Sequence, residues 1–336
     1  MPSRQPVVVV GAGVSGLACA RVLAGAGLPV VVLEKRRGVG GRMATRRVAG
    51  TVVDHGAQYV TAGNPEFAAL LRRLAATGLA EPWATRLHRY KSGRLAEGGP
   101  AESGRVRWAF PDGIVTLAEQ LARGLTVHRQ VRVTAVRPAK GASWELATTP
   151  AGVWVARALV LALPTPRAVE LLTGVTGLEE LAGTAARAAY DPCWALVAGY
   201  PDAAPPTWRG VFVDGGPLSF LCHDSSKRHD PAGTVLVAHA TGAWTRAHWD
   251  DDPARVTGEL VAATARVAGG WAADPAWTSH QRWTHAQVAE GVDVPWLLGP
   301  GHAPVGLCGD WGEGAKVEGA WRSGHRLGHA LLGRVG

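Results

Sequence analysis

The first 34 residues carry strand and helix signatures around a glycine turn, which restricts the chain to folds built on a parallel sheet. Val7 to Val10 is a continuous β-branched run, as expected of a strand buried on both faces. Gly11-Ala12-Gly13-Val14-Ser15-Gly16 comes at once after it, and Leu17 to Ala26 then reads as a helix of small and apolar residues closed by Gly27. Val30 to Leu33 gives a second strand with Glu34 at its carboxyl end. The three glycines serve different ends. Gly11 makes the tight turn, Gly13 lets backbone approach a pyrophosphate, and Gly16 lets helix pack closely on strand. Glu34 is then placed to accept hydrogen bonds from ribose hydroxyls. An isolated G-x-G-x-x-G says little, but the flanking strands, helix and acid all stand where binding the ADP half of a dinucleotide requires them.

The residues after Glu34 separate FAD from NAD. Gly38-Val39-Gly40-Gly41-Arg42-Met43 and Asp54-His55-Gly56-Ala57-Gln58-Tyr59 occupy the stretch where a plain NAD domain continues with a helix. A glycine pair with an arginine suits a second loop across the same pyrophosphate, Arg42 neutralising it through charge-assisted hydrogen bonds. Near the other end, Gly306-Leu307-Cys308-Gly309-Asp310-Trp311 reads as a short strand delivering an acid, with a helix from Gly319 to Leu332 behind it. Two nucleotide-contacting segments so far apart imply that the chain leaves this domain and returns, a topology of flavoprotein oxidoreductases.

Together these blocks, with Gln281-Arg282-Trp283 and Val317-Glu318-Gly319-Ala320-Trp321, resemble the bacterial renalase-like branch of the flavin monoamine oxidase superfamily. The resemblance implies an α/β fold, a Rossmann-type FAD-binding domain interleaved with a smaller α+β substrate domain that carries an antiparallel sheet. It implies that Glu34 binds the adenosine ribose, Arg42 the pyrophosphate, Asp310 the pyrophosphate or ribityl region, and the backbone of Val131, in a strand-like Val127 to Val136, the adenine. Ser15, Lys35, Gly41, Gln58, Tyr59, Gly309 and Val317 complete the expected cofactor set, and Arg282 with Trp283 the expected catalytic pair. His285 stands where the family pattern has a tyrosine, and Thr284 where it has a second arginine. Gly312 occupies the neighbourhood after Asp310 in which some relatives attach flavin through cysteine, so FAD is expected to be non-covalent. The implied activity is that of an oxidase: a hydride passes from a small-molecule donor to the flavin and on to molecular oxygen. The implied donors are isomeric dihydronicotinamide dinucleotides, with amine oxidation or desaturation of a biosynthetic metabolite, or flavin binding without turnover, as alternatives.

Composition fits a soluble enzyme of two interleaved domains. At 336 residues and 47% hydrophobic content the chain exceeds a single average core. The expected bounds are 1–80, 105–165 and 296–336 for the FAD domain, and 81–104 and 166–295 for the substrate domain. The latter is rich in tryptophan, and runs such as Ala195 to Ala198, Val211 to Val213, Leu218 to Leu221 and Val235 to Ala238 suggest a sheet. Pro253 to Ala268 reads as a helix after the polar start Asp250-Asp251-Asp252. Four widely spaced cysteines and scattered histidines give neither a disulfide framework nor a zinc site. No apolar leader or membrane-length run is visible, so cytoplasmic residence is expected. The net charge of +8 comes without any nucleic-acid motif and suits attraction of a small anionic substrate.

Overall fold

The computed structural model describes residues 5–98, 105–301 and 303–335. The chain forms two compact units: residues up to Arg42, Leu117–Ala189 and from Val288 onward make the first, and Met43–Thr116 with Tyr190–Gln287 the second.

The first unit is built on a six-stranded sheet. Val7–Val10 lies at its centre, parallel to Ala158–Leu161 on one side and Val30–Glu34 on the other. Thr126–Arg129 extends the sheet beyond the second strand, Val305–Leu307 beyond Ala158–Leu161, and Leu297–Leu298 closes that edge antiparallel. All four central valines are buried, as the unbroken β-branched run requires. Helix Val14–Gly25 packs against the long helix Val317–Val335, and the approach is close because Gly324 has no side chain. A Cβ there would lie 1.9 Å from the Ser15 carbonyl oxygen. A separate three-stranded antiparallel sheet joins Arg132–Ala139, Ser143–Thr149 and Gly152–Ala156.

The second unit carries a seven-stranded sheet in the order Trp277–Glu290, Ala189–Tyr200, Thr234–Ala240, Leu218–His223, Gly210–Asp214, His88–Lys91 and Arg94–Glu97. Side chains alternate between its faces. On one face Trp194, Leu196 and Ala198 meet Val256, Leu260, Ala263 and Val267 of helix Pro253–Ala268. On the other, Val197, Val235 and Val237 meet Val53, Trp83 and Leu87.

Three expectations need correcting. The strand-like Val127 to Val136 is two strands, broken at Gln130, whose φ of 60° is left-handed and turns the chain from the parallel sheet into the antiparallel one. The expected antiparallel sheet contains one parallel pair, Gly210–Asp214 beside His88–Lys91. The domain bounds also move. Residues 43–80 belong with the second unit because Val53 is part of its core, while 166–189 belong with the first because Leu178 and Leu181 pack at Gly299 and Val305. The two units are consequently of similar length, and the expected bound at 104 lies outside the described residues. Among the described residues no helix is long and apolar enough to cross a membrane.

Gly324→Ala should lower stability by about 1–3 kcal/mol, the usual cost of overpacking. Gly333→Ala, on the exposed side of the same helix with open space around it, should raise it by roughly 1 kcal/mol. Thermal unfolding of the two variants should show shifts of opposite sign; shifts of the same sign would contradict the close approach at Gly324.

Candidate functional site

The glycine turn of the first unit is shaped to admit one ligand group and no side chain. Gly11 has φ 106°, and a Cβ on it would meet the Ala162 carbonyl oxygen at 2.6 Å. A Cβ on Gly16 would meet the Gly11 oxygen at 2.1 Å, whereas beside Gly13 there is open space. Helix Val14–Gly25 begins here with Gly13 as its N-cap and no capping side chain, so its first N–H groups and the positive end of its dipole are offered to an anion. The Glu34 carboxylate is buried and fixed by two backbone donors, Ala12 N–H at 2.9 Å and Arg36 N–H at 2.8 Å. Each oxygen retains acceptor capacity for a ribose hydroxyl. Val131 donates its N–H to the Glu34 carbonyl at 2.9 Å, which brings its backbone to the same end of the sheet. Lys35 is exposed there; burial of its stem and the neighbouring Arg132, Arg36 and Arg167 lower its pKa, so this end of the sheet is cationic. Ser15 is buried in the first turn of helix Val14–Gly25, near the Cys308 thiol.

The second loop lies on this turn. Gly40 donates its N–H to the Ala12 carbonyl at 2.8 Å, and a Cβ on Gly41 would stand 3.5 Å from the Gly13 Cα. Arg42 then reaches the far end of the sequence, forming a two-pronged pair with Asp310 at 2.7 and 2.6 Å. This is a fork-to-fork geometry that only arginine can supply. Gly309 is held by its N–H to Ser323 Oγ at 3.0 Å, and Val317 opens the helix beyond it. Asp310 and the buried Trp311 line a cleft of about 330 Å³ together with Val288, Gly291, Val292 and Gly314. A Cβ on Gly312 would meet the Val294 carbonyl oxygen at 2.5 Å, so no thiol fits at that position. Glycine turn, ribose acid, paired arginine and cleft together fit a dinucleotide carrying a flavin.

The expected catalytic pair does not act from one face. Arg282 and Trp283 are consecutive in strand Trp277–Glu290, so their side chains point to opposite sides. Arg282 is exposed, lies 4.5 Å from the Trp249 ring centroid and 5.5 Å from that of Trp194, and donates to the Trp249 carbonyl. Its charge is engaged in local cation–π contacts. Trp283 is buried on the other face, stacks on His55 at 5.4 Å with 20° between the rings, and donates its indole N–H to the His55 carbonyl at 3.1 Å. His285, two residues on, meets Tyr190 edge-on at 5.5 Å.

Gln58 and Tyr59 also depart from expectation, since both serve the interior of the second unit. Tyr59 stacks with Trp83 at 6.0 Å and lies beneath Arg107. The Gln58 amide donates to the Asp54 and Gly56 carbonyls and accepts from Lys227 Nζ at 3.2 Å. Lys227 is a residue that sequence reasoning misses. It is fully buried between Asp54 at 3.0 Å and Asp224 at 2.5 Å, and Arg228 bonds the same two carboxylates at 2.8 and 3.0 Å. Burial pushes the Asp54 carboxyl up, but Lys227 and Arg228, with hydrogen bonds from Thr45 and the Ile114 amide, outweigh it and hold the group at about 2. At Asp224 burial, together with the neighbouring Asp54 charge, keeps the pKa raised despite the same cations. The two carboxylates hold Lys227 protonated against its own burial. The one available signal is an acid three residues before a lysine, between two apolar strands.

Lys227→Met should cost about 3–5 kcal/mol, the penalty for leaving a buried charge unpaired. Asp54 contributes stability that is present above its ordinary value of 3.8 and lost as pH falls through about 2. In the variant a carboxyl loses its lysine and its folded pKa rises, so the deficit grows with pH. Urea unfolding at pH 5 and pH 7 should therefore show a larger deficit at pH 7; equal deficits would contradict the assignment.

Comparison with known proteins agrees with this geometry. Residues 9–74 match the family model for an NAD(P)-binding Rossmann-like domain, and residues 101–327 that for flavin containing amine oxidoreductase. AofH of Mycobacterium tuberculosis, assigned as a flavin-containing monoamine oxidase, is 37% identical over 139 residues, which are 38% of this chain and 28% of AofH. Putrescine oxidase of Kocuria rosea is 46% identical over 70 residues, 21% of this chain and 15% of its own length. The matches thus span less than a third of those relatives. The crystal structure of putrescine oxidase bound to putrescine superposes over 98% of this chain and 99% of its own with a TM-score of 0.72 at 17% identity. Cyclohexylamine oxidase of Brevibacterium oxydans gives a TM-score of 0.73 at 14% identity, again over 98% and 99%. At those identities the likeness is one of fold. The second family model covers most of the sequence, and the chain belongs to the flavin containing amine oxidoreductase family.

Proposed function

We propose that the chain is an FAD-dependent oxidase that holds its flavin non-covalently and oxidises isomeric dihydronicotinamide dinucleotides. Bound FAD supplies the redox chemistry, taking a hydride from the donor and giving the electrons to molecular oxygen to yield hydrogen peroxide. The chain supplies binding and orientation. Glu34 holds the adenosine ribose, while Arg42 and the uncapped N-terminus of helix Val14–Gly25 hold the diphosphate. Trp283 is buried and stacked on His55. A dihydropyridine is already electron-rich, so no base is required of the protein. Non-covalent attachment is supported by the crowding at Gly312 and the burial of Cys308.

The observation that carries the choice of donor is the charge balance beside Trp283. The carboxylates of that neighbourhood, Asp54 and Asp224, are both neutralised by Lys227 and Arg228. They have no charge to spare for a protonated amine, which favours an uncharged planar ring. Amine oxidation is the second reading, and the names of the relatives favour it, putrescine oxidase among them.

Anaerobic stopped-flow mixing separates the two. Dihydronicotinamide isomers should bleach the flavin rapidly, and readmitted oxygen should restore its colour with one peroxide per turnover. Rapid bleaching by putrescine or another amine, with no response to any isomer, would overturn the proposal in favour of the second reading.

A further inference from the structure

The cleft that contains Asp310 and Trp311 has a wall made by Gly314 and Ala315, both exposed. This wall is the connection between the short helix Asp310–Glu313 and the long helix Val317–Val335. The connection is a tight reversal. Gly314 has φ 96°, its carbonyl accepts the Lys316 N–H at 2.7 Å, and a Cβ on Gly319 would stand 2.1 Å from that carbonyl oxygen. Exposed backbone with little apolar burial of its own is easily displaced unless a side chain ties it down.

Glu313 supplies that tie. Its side chain is 8% exposed, and its carboxylate accepts from Arg326 Nη1 at 2.6 Å on one oxygen and pairs with Arg322 Nη2 at 2.7 Å on the other. The two arginines stand four residues apart, one above the other on the same face of helix Val317–Val335, where like charges repel. A single carboxylate between them removes the repulsion and commits both of its oxygens to the helix. The opposite wall is held by other means: the Val292 N–H bonds the Trp311 carbonyl at 3.0 Å, and Ser323 Oγ bonds the Pro295 carbonyl at 2.6 Å.

We propose that Glu313 is a positioning residue for the flavin: its grip on Arg322 and Arg326 fixes the Gly314–Ala315 wall of the cleft, and through that wall slows release of the bound cofactor. The proposal rests on the assignment of this cleft to the flavin. Glu313 does not itself line the cleft, so it acts through the backbone that follows it. Arg322 and Arg326 are 33% and 48% exposed, so water receives their charges when the carboxylate is neutralised, and the fold survives the change.

The test follows FAD release from the loaded protein by the fluorescence of free flavin, FAD capture by the apoprotein in stopped flow, and thermal unfolding of the apoprotein. In Glu313→Gln release should quicken ~5–30-fold, a part of what two charge-assisted bonds can supply, with the capture rate and the apoprotein unfolding temperature unchanged. The double variant Arg322→Met/Arg326→Met should quicken release as much. Glu313→Gln added to that pair should change nothing further, because the three groups act as one. Unchanged release in Glu313→Gln, or quicker release accompanied by a lowered apoprotein unfolding temperature, would overturn the proposal and leave the clamp to the fold. Additive effects of the three substitutions would overturn it too, by separating Glu313 from the arginines. A wild type that takes up no FAD would overturn the flavin assignment itself, and this proposal with it.

Discussion

A lysine and an arginine buried against two carboxylates hold the second unit together at its most demanding point. Each ion carries a desolvation penalty that only its partners offset, so the four groups stabilise little unless all are in place. Their connections account for much around them. Asp54 ends the hairpin strand Thr51–Asp54, Thr45 of the opposing strand bonds it, and Asp224 opens the turn that carries Lys227. Lys227 also bonds the Gln58 carbonyl at 3.2 Å, which fixes the loop that contains His55. The position of the Trp283–His55 stack depends on those bonds.

The first unit solves a different problem, that of receiving a polyanion. It keeps backbone donors at a helix start free of side chains and sets Glu34 by two backbone N–H groups. It also joins both ends of the sequence through Arg42 and Asp310. That pair leaves the guanidinium partly exposed, at 30%, whereas the carboxylate is nearly covered, at 9%. Arg42 is thus oriented by Asp310 and still presents charge outward.

Much of this is legible in the sequence, and the failures have physical causes. Helix Pro253–Ala268 is readable to the residue because Asp252 caps it and its apolar positions repeat at helical spacing. The glycine turn is readable because each glycine excludes a specific contact. Gln130 gives no warning, since a non-glycine residue at φ 60° leaves no mark in composition. The adjacency of Arg282 and Trp283 suggests joint action, yet adjacency in a strand separates side chains onto opposite faces. Lys227 stands in Asp224-Ser225-Ser226-Lys227-Arg228-His229-Asp230, which has the polarity of a surface turn. Only the fold brings Asp54 to it from a distant part of the chain.

The segment from Asp54 to Tyr59 has two conceivable roles: contact with the cofactor, or support of the buried charges beneath the aromatic stack. Gln58→Ala distinguishes them directly, with unfolding followed in urea and FAD affinity measured by titrating the apoprotein. Support of the buried charges predicts a loss of stability of about 1–3 kcal/mol, as a buried donor loses its acceptor, with FAD affinity unchanged. Loss of FAD affinity at unchanged stability would contradict it and return Gln58 to the cofactor site.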